Sequence, residues 1–151
     1  MFLWGMVAAG IGLCVNLVHP YRIDYVAAPF PPVVDDPDVP VPEIISVADA
    51  RVMYGSQKVL FVDARSMRRF EAGHMPGALP LPWMKFDHYY HDCIMELVKS
   101  PTIIVYDEGT VDTKARELGR KLIEDGFANV YHLAGGLKAW MDLGYPLEES
   151  S

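Results

Sequence analysis

Two cysteines, no basic run and no charge in the first eighteen residues are the notable shortages of this 151-residue chain. Cys14 lies inside an apolar run, so Cys14 and Cys93 do not make a disulfide framework, and neither thiol reports a redox compartment. Without a cluster of Lys and Arg, or basic residues interleaved with aromatics, the chain lacks the footprint of a nucleic-acid binder. Its balance is acidic: 13 Lys and Arg against 20 Asp and Glu, a formal net charge of −7. Disorder is excluded for most of the chain, since 51% of its residues are hydrophobic. What remains is enough for one domain of ordinary size with its own core.

The charge-free start is MFLWGMVAAGIGLCVNLV. As a helix it would reach about 27 Å, which just spans a bilayer core. A cleaved signal peptide is disfavoured, because no basic n-region precedes the run and the tidy small-residue site Val26-Ala27-Ala28 would leave Pro29 after the cut. A buried core helix would need a polar stripe to face water, and the run has none. A membrane anchor over residues 1–19 fits best, either alone or as the last span of a larger membrane protein. Gly5 and Ala9, or Ala8 and Gly12, have the small-residue spacing that permits close helix packing. Arg22 is the sole nearby cation, so orientation is weakly set. A domain translocated behind one N-terminal span is the commoner arrangement, which favours a periplasmic or extracytoplasmic side.

Residues 20–43 change character. Pro29, Pro31, Pro32, Pro37, Pro40 and Pro42 alternate with Val and with Asp35, Asp36 and Asp38. Prolines at this density deny helix and sheet interior and favour an extended, semi-rigid spacer. Pro29-Phe30-Pro31-Pro32 also meets the letter of a PxxP ligand, a weaker reading than the spacer.

From residue 44 to 149 the punctuation becomes regular. Ser46, with Asp49 three residues on, opens a helix ending near Gly55. Continuous apolar runs at Val59–Val62, Thr102–Tyr106 and Asn129–Leu133 read as buried strands, with short strands at Ile44-Ile45 and Ala78–Leu81. Helices are expected over Ser66–Ala72, Phe86–Val98, Thr113–Asp125 and from Gly135-Gly136 through Asp142. Alternation of this kind predicts an α/β domain: a central, mostly parallel sheet of about five strands covered by helices on both faces, preceded by the hydrophobic N-terminal helix. From Glu43 onward there are 12 Lys and Arg and 16 Asp and Glu, a net charge of −4.

In such sheets ligands sit outside the carboxyl ends of the strands. Three loops point there: Asp63-Ala64-Arg65, the loop Asp107, Glu108, Gly109, Thr110, Val111, Asp112, Thr113, and Ala134-Gly135-Gly136. The second follows a strand and precedes a helix, a setting where backbone N–H groups converge on an anion. Yet it is filled with the chain's own acids.

The segment VLFVDARSMRRFEAGHMPGALPLP resembles the opening signature of rhodanese-like domains: Asp63-x-Arg65 after a strand, a short helix, then Gly73-His74-x-Pro76-Gly77-Ala78. GFANVYHLAGGLKAWMDLGYPLE is similar to the closing signature at Gly126-Phe127, Asn129-Val130, Gly135-Gly136, Ala139-Trp140, Gly144 and Pro146. In active members of that family the strand equivalent to Ile103–Tyr106 is followed by a cysteine that carries sulfane sulfur as a persulfide. The loop wraps it with backbone N–H groups, and an arginine often stands five positions on. Carried over, the cysteine position is Asp107 and the arginine position is Asp112. The same strand-Tyr-Asp pattern is similar to the non-catalytic halves of tandem rhodaneses.

The resemblance therefore implies the fold of a sulfurtransferase without its persulfide-forming cysteine, and no catalytic residue. A carboxylate cannot hold a persulfide, and Cys93 lies in the preceding helix. Asp107 is expected to take the loop N–H groups itself, in ionised form, with Thr113 as a helix cap. An anion such as thiosulfate would then meet two or three like charges, each costing roughly 3 kcal/mol before screening. Asp63, Arg65, His74, Gly135 and Gly136 flank the site, with bland roles expected: Arg65 pairing with Asp63 or Glu71, His74 bonding a loop backbone, Trp140 in the core.

The expected function is a catalytically silent, membrane-tethered protein-binding or regulatory module linked to sulfur metabolism. Its partner would be a protein such as a membrane neighbour or a sulfur carrier. The alternative is an enzyme with altered chemistry, Asp107 acting as a carboxylate nucleophile in metal-dependent phosphoryl transfer. Gly109 stands where that chemistry needs a second carboxylate. No cofactor or resident metal is expected. His88 and His91, one turn apart in DHYYHDC with Asp87, Asp92 and Cys93 beside them, could share a metal but need a further ligand from elsewhere, and a half-buried helix face explains them better.

Overall fold

The computed structural model describes residues 40–55, 59–109 and 113–150. The expected anchor, the spacer up to residue 39, and Thr110, Val111 and Asp112 lie outside the described residues. Every element below belongs to the unit Pro37–Ser151.

β1 is Glu43–Ile45, α1 Val47–Gly55, β2 Leu60–Asp63, α2 Met67–Glu71 and β3 Leu79–Pro80. A single 3-10 turn over Trp83–Lys85 leads into α3, Phe86–Lys99. Then follow β4 Ile103–Tyr106, α4 Lys114–Glu124, β5 Val130–Leu133 and α5 Gly136–Asp142. The five strands form one sheet in the order β1-β5-β4-β2-β3, with every neighbouring pair parallel. The elements expected from residue 44 onward are present to within a residue or two. The 3-10 turn was not anticipated, because Pro82 followed by three large side chains carries no local turn signal.

β4 is central, and all four of its residues are buried. Alternation along it divides the core into two layers, as the two-residue period of a strand requires. Ile103 and Val105 face α3 and α4, where Leu97, Leu118 and Leu122 are fully buried. Ile104 and Tyr106 face α1 and α5, where Phe61, Leu137 and Trp140 pack. In that second layer the Phe61 and Trp140 rings meet at a 70° angle with centroids 5.6 Å apart, a favourable edge arrangement. Trp140 is core, and its indole N–H donates to the Pro146 carbonyl at 2.9 Å.

Local rules set the element ends. Ser46 Oγ accepts the Asp49 N–H at 3.1 Å and donates to Asp49 Oδ2 at 2.6 Å, so the serine starts α1. The C-terminal tail then returns over the domain: His74 and Glu148 exchange two backbone hydrogen bonds of 2.9 Å as an isolated antiparallel bridge.

Strand register positions the site. Asp63 of β2 lies beside Tyr106 of β4, at the carboxyl end of the sheet. Val105 pairs with His132 on the other side. Residues 63–65, 107–109 and 134–136 therefore emerge together at the centre of one sheet edge, as the parallel topology dictates.

Candidate functional site

The β4–α4 loop is shaped first by glycine. Gly109 has φ 87°, and a Cβ there would stand 1.8 Å from the Gly135 carbonyl oxygen. Gly136 has φ 52°, and a Cβ there would stand 2.5 Å from the Asp107 carbonyl oxygen. Backbone meets backbone with no room for a side chain, which is why glycine occupies both positions. The start of α5 then binds the loop: Leu137 N–H donates to the Asp107 carbonyl at 2.8 Å and Lys138 N–H to the Glu108 carbonyl at 3.2 Å.

Into this frame the Asp107 side chain folds back, 1% exposed. Its Oδ1 accepts the Gly109 N–H at 2.8 Å, and its Oδ2 accepts the Ala115 N–H at 3.1 Å. The second bond falls in the first turn of α4, where N–H groups have no partner within the helix and the dipole favours negative charge. Asp107 therefore caps α4 from eight residues upstream. Thr113 stands at the N-cap position but makes no side-chain cap bond. This corrects the expectation of a threonine cap: the aspartate carboxylate supplies the acceptor.

Asp63 and Arg65 form the second part of the site. The guanidinium meets the carboxylate edge-on, Nη2 to Oδ2 at 2.7 Å and Nε to Oδ1 at 3.0 Å, while the Arg65 backbone N–H also donates to Oδ1 at 2.9 Å. Nη2 further donates to the Gly73 carbonyl at 2.7 Å. Both side chains are buried, so the pair is held by fixed geometry and by the satisfaction of its donors. Arg65 loses to burial but gains more from the Asp63 carboxylate, and its pKa is raised. Tyr106 is pushed well above its ordinary value, first by burial and then by the Asp63 charge, so its hydroxyl is a neutral group here. That hydroxyl accepts the Met75 N–H at 3.1 Å. Glu71 is not the partner of Arg65.

His74 stacks on Phe70, with ring centroids 3.8 Å apart, and its Nδ1 lies 2.9 Å from the Phe70 carbonyl. The imidazole is buried, and the backbone group it meets belongs to helix α2 where a loop carbonyl was expected. Gly135, φ 70°, is the left-handed residue at which β5 turns into α5.

Glu108 departs from expectation. Its Oε2 accepts from Arg69 Nη1 at 3.0 Å and lies 3.5 Å from Arg65 Nη1. Two guanidinium groups neutralise the carboxylate, so it does not present the bare like charge expected to repel an anion. Beyond it opens a cleft of about 820 Å³, walled by α2, the 3-10 turn and the start of α4. Arg65, Arg68, Arg69, Lys85 and Lys114 all line it. The sequence reading passed over four of these residues. Arg68-Arg69, separated from Asp-x-Arg by two residues, was one available signal. The other was Lys114 in the first turn of α4, where the dipole disfavours a cation.

The Asp107 carboxylate is enclosed, and each of its oxygens accepts an amide. His88 and His91 lie on the outer face of α3, whereas Cys93 points inward, its thiol donating to the Pro80 carbonyl at 3.4 Å and its pKa raised by burial. Among the described residues, no group of three or more His, Cys, Asp or Glu is arranged to hold a metal. Among them too, no helix is long and apolar enough to cross a membrane.

The family model of the rhodanese-like domain matches residues 46–143. This chain belongs to the rhodanese-like family. A thiosulfate sulfurtransferase GlpE of Pseudoalteromonas translucida is 30% identical over 96 residues, covering 64% of this chain and 86% of that protein. A tRNA uridine(34) hydroxylase of Escherichia coli is 28% identical over 109 residues, but the match spans only 31% of its length. Among solved structures, a Bacillus halodurans protein aligns with a TM-score of 0.63 at 26% identity, over 71% of this chain and 77% of that one. The chain is thus a member of the rhodanese-like, sulfurtransferase-type family, with an all-parallel five-stranded version of its α/β sheet.

Proposed function

We propose that this chain is a catalytically silent rhodanese-like domain that works as a protein-binding or regulatory module, tethered to a membrane through residues 1–19. The observation that carries this reading is the position of the Asp107 carboxylate. It accepts the Gly109 amide of the loop that in sulfur-transferring relatives would surround a persulfide, and the Ala115 amide in the first turn of α4. By its sequence position Asp107 replaces the persulfide-forming cysteine, as in the non-catalytic halves of tandem rhodaneses. A carboxylate forms no persulfide, and this one occupies the Gly109 and Ala115 amides. The partner is a protein of sulfur metabolism or of the membrane, and the domain sits on the periplasmic or extracytoplasmic side.

The deciding experiment is thiosulfate:cyanide sulfurtransfer by the purified full chain. The expected result is no turnover above buffer, with Asp107→Cys gaining a cyanide-releasable persulfide on incubation with thiosulfate. Turnover by the unaltered chain would overturn the reading.

A further inference from the structure

Five cations meet at one cleft of a domain that is otherwise acidic. The chain has 13 Lys and Arg, of which all but Arg22 lie beyond Glu43, leaving 12. Arg65, Arg68, Arg69, Lys85 and Lys114 all line the cleft beside the β4–α4 loop, and among the described residues Glu108 is the one acidic residue that lines it. Elsewhere on the domain the charges are mixed and commonly paired at helix spacing, as in Lys99–Glu96, Arg120–Glu117 and Lys138–Asp142. Concentrating one sign in a concave wall focuses the field and selects ligands of the opposite sign.

The cleft's own carboxylate shows how an acidic group sits there. Glu108 Oε2 takes Arg69 Nη1 at 3.0 Å and lies 3.5 Å from Arg65 Nη1. It is 40% exposed and hangs from a loop, so it can swing aside. Arg68 and Lys85 also line the cleft, and both are exposed. Between the cations the lining is apolar: Met67, Pro82, Met84 and Tyr89, with Met84 78% exposed. A flexible methionine and a half-buried tyrosine accept an apolar side chain without fixing its shape. A volume of about 820 Å³ is far larger than a tetrahedral anion fills and suits several residues of a peptide.

We propose that this cleft is the docking site for an acidic peptide segment of a protein partner, which displaces Glu108 and sets an apolar side chain against Met84 and Tyr89. Glu108 acts as an internal stand-in for the partner's first carboxylate. Arg68 and Lys85 hold the carboxylates that follow. The proposal rests on the binding-module reading above and gives that module's partner a chemistry.

The test is fluorescence polarisation with the full chain and a labelled peptide alternating glutamate with leucine, long enough to span the cleft. Binding is expected and should weaken steeply as salt is raised, because the contacts are between solvated charges. The double charge reversal Arg68→Glu with Lys85→Glu should weaken it roughly tenfold or more. Glu108→Gln should tighten it a few-fold, since no internal carboxylate then competes. A lysine-leucine peptide should not bind, and a glutamate peptide without leucine should bind more weakly. Equal affinity for the charge-reversed chain, or weaker binding by Glu108→Gln, would overturn the proposal. So would full displacement of the peptide by equimolar thiosulfate or phosphate, which would mark a small-anion site instead. None of these readouts depends on sulfur transfer, so a failure here and a failure of catalytic silence are separately visible.

Discussion

The Asp107 carboxylate reaches eight residues along the chain to accept the Ala115 amide at 3.1 Å, while its other oxygen takes Gly109 two residues away. One side chain thus fixes both the turn of the loop and the start of α4. Replacing Asp107 by Ala would leave two amides in a largely buried setting without an acceptor. We expect a loss of about 2 kcal/mol, within the usual range for unsatisfied buried donors and lost caps. Asp107→Asn keeps one acceptor oxygen and should lose about half as much. Urea denaturation followed by circular dichroism measures both.

Arg65 should be the costliest polar side chain to remove. Arg65→Ala leaves the Asp63 carboxylate buried and uncompensated and the Gly73 carbonyl without its donor. A loss of about 3–5 kcal/mol is expected, enough to prevent folding of a marginal domain. Arg65→Lys retains the charge but not the fork that meets both carboxylate oxygens, and should fall between the two. Soluble yield and denaturant midpoint report the order Arg, Lys, Ala.

Two glycines should respond in opposite ways to alanine. Gly109→Ala drives a methyl into the Gly135 carbonyl and forces a left-handed backbone on a side chain, at a cost of about 3 kcal/mol or more. Gly55 ends α1 with open space around it, and Gly55→Ala should be neutral or stabilise by up to about 1 kcal/mol. Thermal melts of the two variants against the parent chain separate the cases. A tolerated Gly109→Ala would mean that the loop does not lie on Gly135.

His132 makes stability depend on pH. Burial lowers its pKa from the ordinary 6.5, Asp107 partly restores it and Arg116 opposes. A histidine depressed in the folded state binds its proton more readily when unfolded. Its contribution is therefore intact above about pH 6.5 and is lost progressively as pH falls below that value. The urea midpoint should drop between about pH 7.5 and about pH 5.5, and His132→Gln should flatten that part of the profile. An unchanged slope in the variant would show that another group carries it.

Much of this arrangement is legible in the sequence because it rests on local pattern. The run Ile103-Ile104-Val105-Tyr106 announces a strand buried on both faces, and all four residues are buried in the sheet. Asp63 and Arg65 are two positions apart, so their pairing is a near-neighbour event that composition alone makes plausible. Asp107 as the acceptor for its own loop follows from a carboxylate placed where amides converge. What escapes is what depends on approach in space. Thr113 has the right residue type for a cap, but an oxygen from eight residues upstream occupies the role, and local capping rules do not see so far. Glu108 reads as repulsive in a string of acids until Arg69, thirty-nine positions earlier, closes on it. The cationic cleft draws from three separated stretches of chain, so no window of sequence contains it.

The order β1-β5-β4-β2-β3 puts the first strand of the domain against the last. During synthesis β1 therefore waits, without a neighbour, until Val130–Leu133 has left the ribosome. The Leu137 and Trp140 side chains that cover the α1 layer arrive later still. A nascent chain halted after Asp125 would carry an open sheet edge at β4 and an uncovered greasy face, both invitations to aggregate. Production of this domain should thus depend on chaperone supply during translation, far more than its small size would lead one to think.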